Sequence, residues 1–202
     1  MIITTTTEPT AEPVTLTEVK LHCRLAIDSA SAVAYTTEDG WLERNITAAR
    51  MQAEQETGRK FVTQTLTMYL DSWPEVNFIK IPYPPLQSAA VTYRLEDDDD
   101  YDNTLSTINV DIVSCPGRII LQPDESWPSG TLHSNNPIKI VFVCGYGLAV
   151  SVPSGIKSAI LLKIEDLYNN RGEIVIGAAV NRISDVVDSL LRNFRVHAEF
   201  GQ

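Results

Sequence analysis

The spacing of apolar residues changes period twice along this chain, and that limits the fold more than any single motif does. From Val14 to Gly58 apolar side chains recur mostly every three or four residues, from Phe61 they alternate with polar ones, and after Pro153 the helical spacing returns. Helices are expected at both ends and strands between them. The order predicts an α+β chain, with a small four-helix core (two N-terminal and two C-terminal helices) and a central antiparallel β insertion. The helical core is expected over residues 14–60 and 150–196 and the β insertion over 61–149, as one domain. A flexible arm, residues 1–13, precedes it and a short tail, residues 197–202, follows.

The arm, MIITTTTEPTAEP, has little to bury, so it reads as flexible or edge-docking, with order requiring a partner. In VTLTEVKLHCRLAI, Thr15 and Glu18 have capping-box spacing and Val14 can staple onto Val19, which starts a helix with Leu16, Val19, Cys23 and Ala26 on one face. The stretch DSASAVAYTT breaks that pattern. A longer helix follows in EDGWLERNITAARMQAEQETG, where Leu42, Ile46, Ala49 and Ala53 share a face and Gly58 is placed to end it in the left-handed conformation. Beyond Pro153, Ile156, Ala159, Ile160, Lys163 and Leu167 form a stripe that Leu161, Leu162, Ile164 and Tyr168 widen, as expected of a central helix. A last amphipathic helix, SDVVDSLLRNFR, takes Ser184 as its candidate N-cap and carries Val187, Leu190, Leu191 and Phe194.

Six segments read as strands: FVTQTLTMYLD, VNFIKIP, SAAVTYRLE, LSTINVDIV, GRIILQ and PIKIVFVCG. The connections are short and rich in turn formers, so antiparallel pairing is expected. In the last of them Ile138, Ile140, Phe142 and Cys144 should face inward and Lys139 outward.

Composition excludes several classes of function. The 202 residues are 44% hydrophobic, enough for a real core, yet the formal net charge is −10, which opposes nucleic-acid binding through phosphate neutralisation. Three cysteines, Cys23, Cys115 and Cys144, lack C-x-x-C spacing, so neither a disulfide framework nor a zinc knuckle is indicated and a reducing compartment fits. The N-terminus has no signal-peptide pattern, and no apolar run reaches the roughly 18 residues of a spanning helix. A soluble chain made in the cytoplasm, with no membrane partner and no cofactor, is the expectation.

The acidic run RLEDDDDYDN, from Arg94 to Asn103, is the strongest candidate for chemistry. Asp98, Asp100 and Asp102 have the D-x-D-x-D spacing of a calcium loop, but position six is Asn103 instead of Gly and position twelve is Asn109 where a bidentate Glu should close the cage. A two-metal phosphohydrolase or nuclease using Asp97 to Asp102 is the alternative reading. It needs carboxylates from separate elements, whereas consecutive ones on an extended chain point apart. A solvated hairpin tip accounts for the run more simply. His22, His133 and His197 stand outside any catalytic motif, and VFVCGYG lacks a phosphate-cradling pattern. Trp73 and Trp127, each in S-W-P, read as loop anchors on the β block.

Taken in order, LTEVKLHCRL, AARMQAEQETGRKFVTQTLTMYLDSWP, IKIPYPPLQSAAVTYRLEDDD, PGRIILQPDESWP, IVFVCGYGLAVSVPSGIKSAILLKIEDLYNNRG and LLRNFR resemble the head-tail connector, or adaptor, proteins of long-tailed bacteriophages and phage-like particles. The resemblance runs from about Val14 to Arg195 and departs from the family pattern at Gly172. It implies a non-enzymatic virion protein at the head-tail interface, forming a ring, a dodecamer, on the portal. Its partners would be the portal protein, a tail-side connector or tail terminator, and further copies of itself, while DNA passes through the lumen without specific binding. By the same resemblance LLRNFRVHAEFGQ is the portal-contacting element, with Leu191, Phe194, Arg195 and Phe200 as anchors.

Overall fold

A computed structural model of the chain describes residues 1–170 and 181–196, with side chains in the last helix from Asp185 onward. The chain divides into a β unit, built on Met1–Thr10 and Val62–Tyr146, and a helical unit, built on Ala11–Phe61 and Gly147–Arg195.

Among the described residues the helical unit holds five α-helices, one more than the four expected: α1 (Leu16–His22), α2 (Ser29–Ala34), α3 (Asp39–Thr57), α4 (Ser154–Asn169) and α5 (Asn181–Arg192). The addition, α2, lies in the Ser/Ala stretch. Its start is a capping box in which the Ser31 amide donates to Asp28 Oδ1 at 2.7 Å and the Asp28 amide to Ser31 Oγ at 3.0 Å. Six residues bury only Ala32, so no apolar stripe announces the helix. The expected box on α1 forms as well, with the Glu18 amide on Thr15 Oγ1 at 3.2 Å and the Thr15 amide on Glu18 Oε2 at 2.6 Å.

Leu42, Ile46, Ala49 and Ala53 are the buried apolar face of α3, which ends at Gly58 with φ +66°. Helix α4 packs against α1, α3 and α5 and buries Ile156, Ala159, Ile160 and Ile164. Leu167 lies outside that buried stripe and is exposed. α5 begins at Asn181, so Ser184 falls inside the helix and is not its N-cap. Ile183 extends the Val187–Leu191 spacing by a turn, which is why the helix starts earlier.

Two buried charge networks hold this unit. Lys20 is 2% exposed, and its ammonium donates to the carbonyls of Ala32 (2.9 Å) and Tyr35 (2.5 Å) and pairs with Asp39 at 2.6 Å. It thereby ties α1 to the end of α2 and the start of α3. Glu54, also 2% exposed, accepts from Arg50 at 3.3 Å, Lys60 at 2.9 Å and the Phe61 amide at 3.1 Å. Arg50 reaches Glu12 at 2.8 Å, so the segment before α1, the middle of α3 and the chain leaving it share one network.

Among the described residues the β unit has eight strands: β1 (Ile2–Thr7), β2 (Gln64–Leu70), β3 (Phe78–Ile81), β4 (Leu86–Tyr93), β5 (Asn103–Thr104), β6 (Ile108–Asp111), β7 (Gly117–Leu121) and β8 (Ile138–Cys144). They form two antiparallel sheets, ordered β1-β2-β8-β4-β5 and β3-β7-β6. All six expected strands are present, with β1 and β5 in addition. Ile138, Ile140, Phe142 and Cys144 of the central strand β8 are fully buried, while Lys139 is half-buried on the other face. Met68, Ile81, Val91 and Ile119 join them in the core.

The arm is not free. Ile2–Thr7 pairs antiparallel with β2, Thr4 opposite Thr67, and the hydroxyls of Thr6 and Thr67 meet at 2.6 Å. Its partner for ordering is thus a strand of its own chain, and the run of β-branched threonines suits that edge. Trp73 and Trp127 stack with centroids 5.0 Å apart and Trp73 meets Tyr93 edge-on at 5.6 Å, so the two S-W-P loops clasp each other over the sheet. At the end of β8, Gly145 has φ +119°, and a Cβ there would fall 2.6 Å from the Val62 carbonyl oxygen. Only glycine fits that crossing.

Candidate functional site

The acidic run forms the connection between β4 and β5, a hairpin pair with Thr92 opposite Thr104 and Tyr93 opposite Asn103. Asp98 does not point outward with its neighbours. Its Oδ2 accepts from the Leu95 amide at 2.8 Å and from Asn103 Nδ2 at 2.6 Å, closing the turn. Asp100 Oδ1 accepts from the Tyr101 amide at 2.7 Å, and Asp97, Asp99 and Asp102 are exposed. Among the described residues no three His, Cys, Asp or Glu side chains come together in a group that could hold a metal ion.

Tyr101 folds back from the run. Its hydroxyl donates to the Asn136 carbonyl at 2.7 Å, and its ring lies 5.1 Å from the Arg94 guanidinium and 5.2 Å from the Lys139 ammonium. Two cations against one aromatic ring at the base of the loop offset part of the carboxylate repulsion nearby. Burial, the largest influence, raises the Tyr101 hydroxyl above its ordinary pKa. The arrangement is that of a braced acidic loop. His22 Nε2 lies 3.0 Å from Glu165, and His133 Nδ1 accepts from the Asn135 amide; His197 lies outside the described residues.

The proposed anchors at the chain's end have different surroundings from one another. Leu191 is fully buried, so it belongs to the helical unit's own core and is not available as an anchor; the apolar stripe of α5 is used within the subunit. Phe194 is half-buried beside Gly155, where a Cβ would come within 3.1 Å of the Phe194 ring, and its carbonyl accepts from Arg59 Nε at 2.5 Å. Arg195 pairs with Asp188 at 2.9 Å. Phe200 lies outside the described residues.

A second kind of surface was not anticipated. The strand read through Val113 stops at Asp111, and Ile112 and Val113 stand in the β6–β7 turn, 51% and 91% exposed. Asp111 fastens that turn: Oδ1 accepts from the Val113 and Ser114 amides at 3.1 and 3.0 Å, and Oδ2 from Ser114 Oγ at 2.6 Å and Arg118 at 2.9 Å. Those bonds, from Ser114 first, hold the carboxyl well below the usual carboxylate range. In the helical unit Leu148 and Val150 are 73% and 80% exposed beside a groove of about 350 Å³ floored by Val14, Leu16 and Ile46. The sequence signal for the first was two β-branched apolar residues inside a DIVSCPG turn, where polar ones are the rule.

No protein-family model matches the chain and no curated protein matches its sequence. Solved structures do match. A chain in the virion of the native gene transfer agent (GTA) particle superposes with a TM-score of 0.78 at 16% identity, covering 100% of this chain and 99% of that one. A chain in the neck of the empty GTA particle, computed with C6 symmetry, gives 0.78 at 18% identity over the same shares. One in the neck of the native particle, computed with C12 symmetry, gives 0.70 at 17%, again over 100% and 99%. At these identities the likeness establishes the fold, shared from end to end with chains of phage-like particles, and it agrees with the connector resemblance in the sequence. Among the described residues no helix is long and apolar enough to cross a membrane.

Proposed function

We propose that this chain is a structural, non-enzymatic protein of a virion neck, a head-tail adaptor that forms a ring below the portal and lets DNA pass. The observation that carries the reading is the full-length fold match to chains of GTA virions and necks, which makes a graft of a small motif onto an unrelated scaffold an unneeded explanation. The C12 symmetry of one matching neck supports a dodecamer, and the net charge of −10 suits a lumen that must not hold phosphates. Phe194, Arg195 and Phe200 remain the proposed portal contacts, with Leu191 supporting them from the core. The opposite partner is a tail-side connector or terminator.

The test is to mix the purified chain with the portal encoded alongside it and image the product. A ring added at the portal's tail-facing end is expected; its absence, with both proteins folded, would sink the proposal. The hydrolase reading has no observation in its favour, since the carboxylates of the run are spent on turn closure or point into solvent.

A further inference from the structure

We infer that β1 is an exchangeable arm: in the ring on the portal, Ile2–Thr7 of each copy swings about Thr10 and Ala11 and adds to β2 of the adjacent copy in place of its own. The inference rests on the neck reading above and says how neighbouring copies are joined.

β1 is held to its own chain by bonds that any other copy offers identically. Only Ile3 of its six residues is part-buried, and the ladder to β2 is irregular between Thr5 and Thr7. The side-chain ties are Thr4 and Thr6 on Thr67, at 3.5 and 2.6 Å. The terminal ammonium lies 3.9 Å from Asp71, with both groups exposed, so that pair contributes little. All of these partners belong to the β unit, and the β unit of a neighbour replaces them like for like.

The linker, residues 8–13, decides where the arm goes. Its far end is fixed to the helical unit, where Glu12 accepts from Thr47 at 2.9 Å and from Arg50 at 2.8 Å. Pro9 and Pro13 have a fixed φ, and Glu8 and Glu12, each preceding a proline, favour extended backbone. Only Thr10 and Ala11 escape that restriction. There the chain bends on its way to Glu12, at the division between the two units. Straightening the bend brings the whole linker to the extended form that its prolines prefer.

In a free chain the short tether holds β1 near its own β2 at an effective concentration on the order of millimolar, so the closed form persists. In a ring the neighbour's β2 is presented at a similar concentration, and the linker's preference tips the balance to exchange. From Thr7 to Glu12 the chain spans at most about 17 Å, which reaches an adjacent copy and none beyond it. Each copy gives one arm and receives one, which is a heterologous contact, and only a closed ring leaves no β2 edge bare.

The test uses two full-length chains, both with Cys115→Ser to remove the exposed thiol, one carrying Thr4→Cys and the other Thr67→Cys. Positions 4 and 67 are opposite each other in the register, within disulfide reach. Mixed, assembled on the portal and oxidised, the chains should give a product of twice the chain mass on a non-reducing gel, with peptide mapping to a bond between positions 4 and 67. The same mixture without portal should give about tenfold less. A third chain carrying both substitutions reports the alternative by closing on itself. A ring in which that chain closes within each copy, while the mixed chains stay unlinked, would overturn the exchange and leave the neck reading standing. No ring at all, with every protein folded, would overturn both. An image of the ring gives a readout independent of oxidation: the chain traced back from Glu12 through Thr7 leads to β2 of the neighbour under exchange, and a path to β2 of the same copy would overturn it.

Discussion

Lys20 is a charged residue with almost no contact with water, and three chain segments depend on it. Truncation to Ala would leave Asp39 and the Ala32 and Tyr35 carbonyls without their donor, so Lys20→Ala should lower stability by about 2–4 kcal/mol in a urea titration. A loss under about 0.5 kcal/mol would show that water replaces the ammonium. Asp111 makes a prediction about pH. Its folded pKa lies below its unfolded value, near 3.9, so its contribution is present above that pH and fades only as the pH falls through the depressed folded value. A carboxyl ¹³C titration should find Asp111 still ionised at about pH 3.5; a midpoint near 4 would mean the turn is loose. The cysteines differ by environment. Burial first, then the nearby Glu165 carboxylate, pushes the Cys23 thiol up to about 11, Cys144 is buried and Cys115 is exposed. One fast thiol per chain, at Cys115, is expected with a chromogenic disulfide reagent at pH 8.

At the scale of elements, legibility followed locality. The Thr15–Glu18 box, the Gly58 stop and the inward face of β8 all depend on residues within a turn or a pleat of each other, and each was readable in the chain. Helix α2 and strands β1 and β5 were not: α2 buries only Ala32, β1 is a run of threonines without apolar alternation, and β5 is two residues long. β1 also exists by virtue of β2, some sixty positions away. Deleting residues 1–7 should therefore expose the β2 edge, lower the thermal midpoint and raise light scattering on storage. An unchanged midpoint would mean that β1 contributes nothing to the sheet. The candidate surfaces were legible in part: the acidic run was found, but its bracing by Arg94, Lys139 and Asn136 involves β8 and the loop before it.

For the whole molecule, the period changes at Phe61 and after Pro153 fall near the boundaries between the two units, at 61–62 and 146–147. The arm crosses that division, joining the β unit although it precedes the helical one in sequence. Net charge acts at this scale as well. With −10 overall, and with Arg94 and Lys139 against Tyr101, Lys60 on Glu54 and Lys20 on Asp39, the chain should fail to retard duplex DNA at micromolar concentration in about 50 mM salt, and should leave it uncut with magnesium or manganese. Cleavage lost on Asp97–Asp102 substitution would revive the hydrolase reading.

The amino-acid order alone determined the kind and succession of most elements, their inward faces and two helix boundaries, because those follow from interactions among residues a few positions apart. Only the tertiary structure decided that the N-terminal threonines form an edge strand, that Leu191 is core, that Asp98 closes a turn and that Val113 stands in solvent. Each of those outcomes depends on what other segments leave covered or open, which a local pattern does not encode.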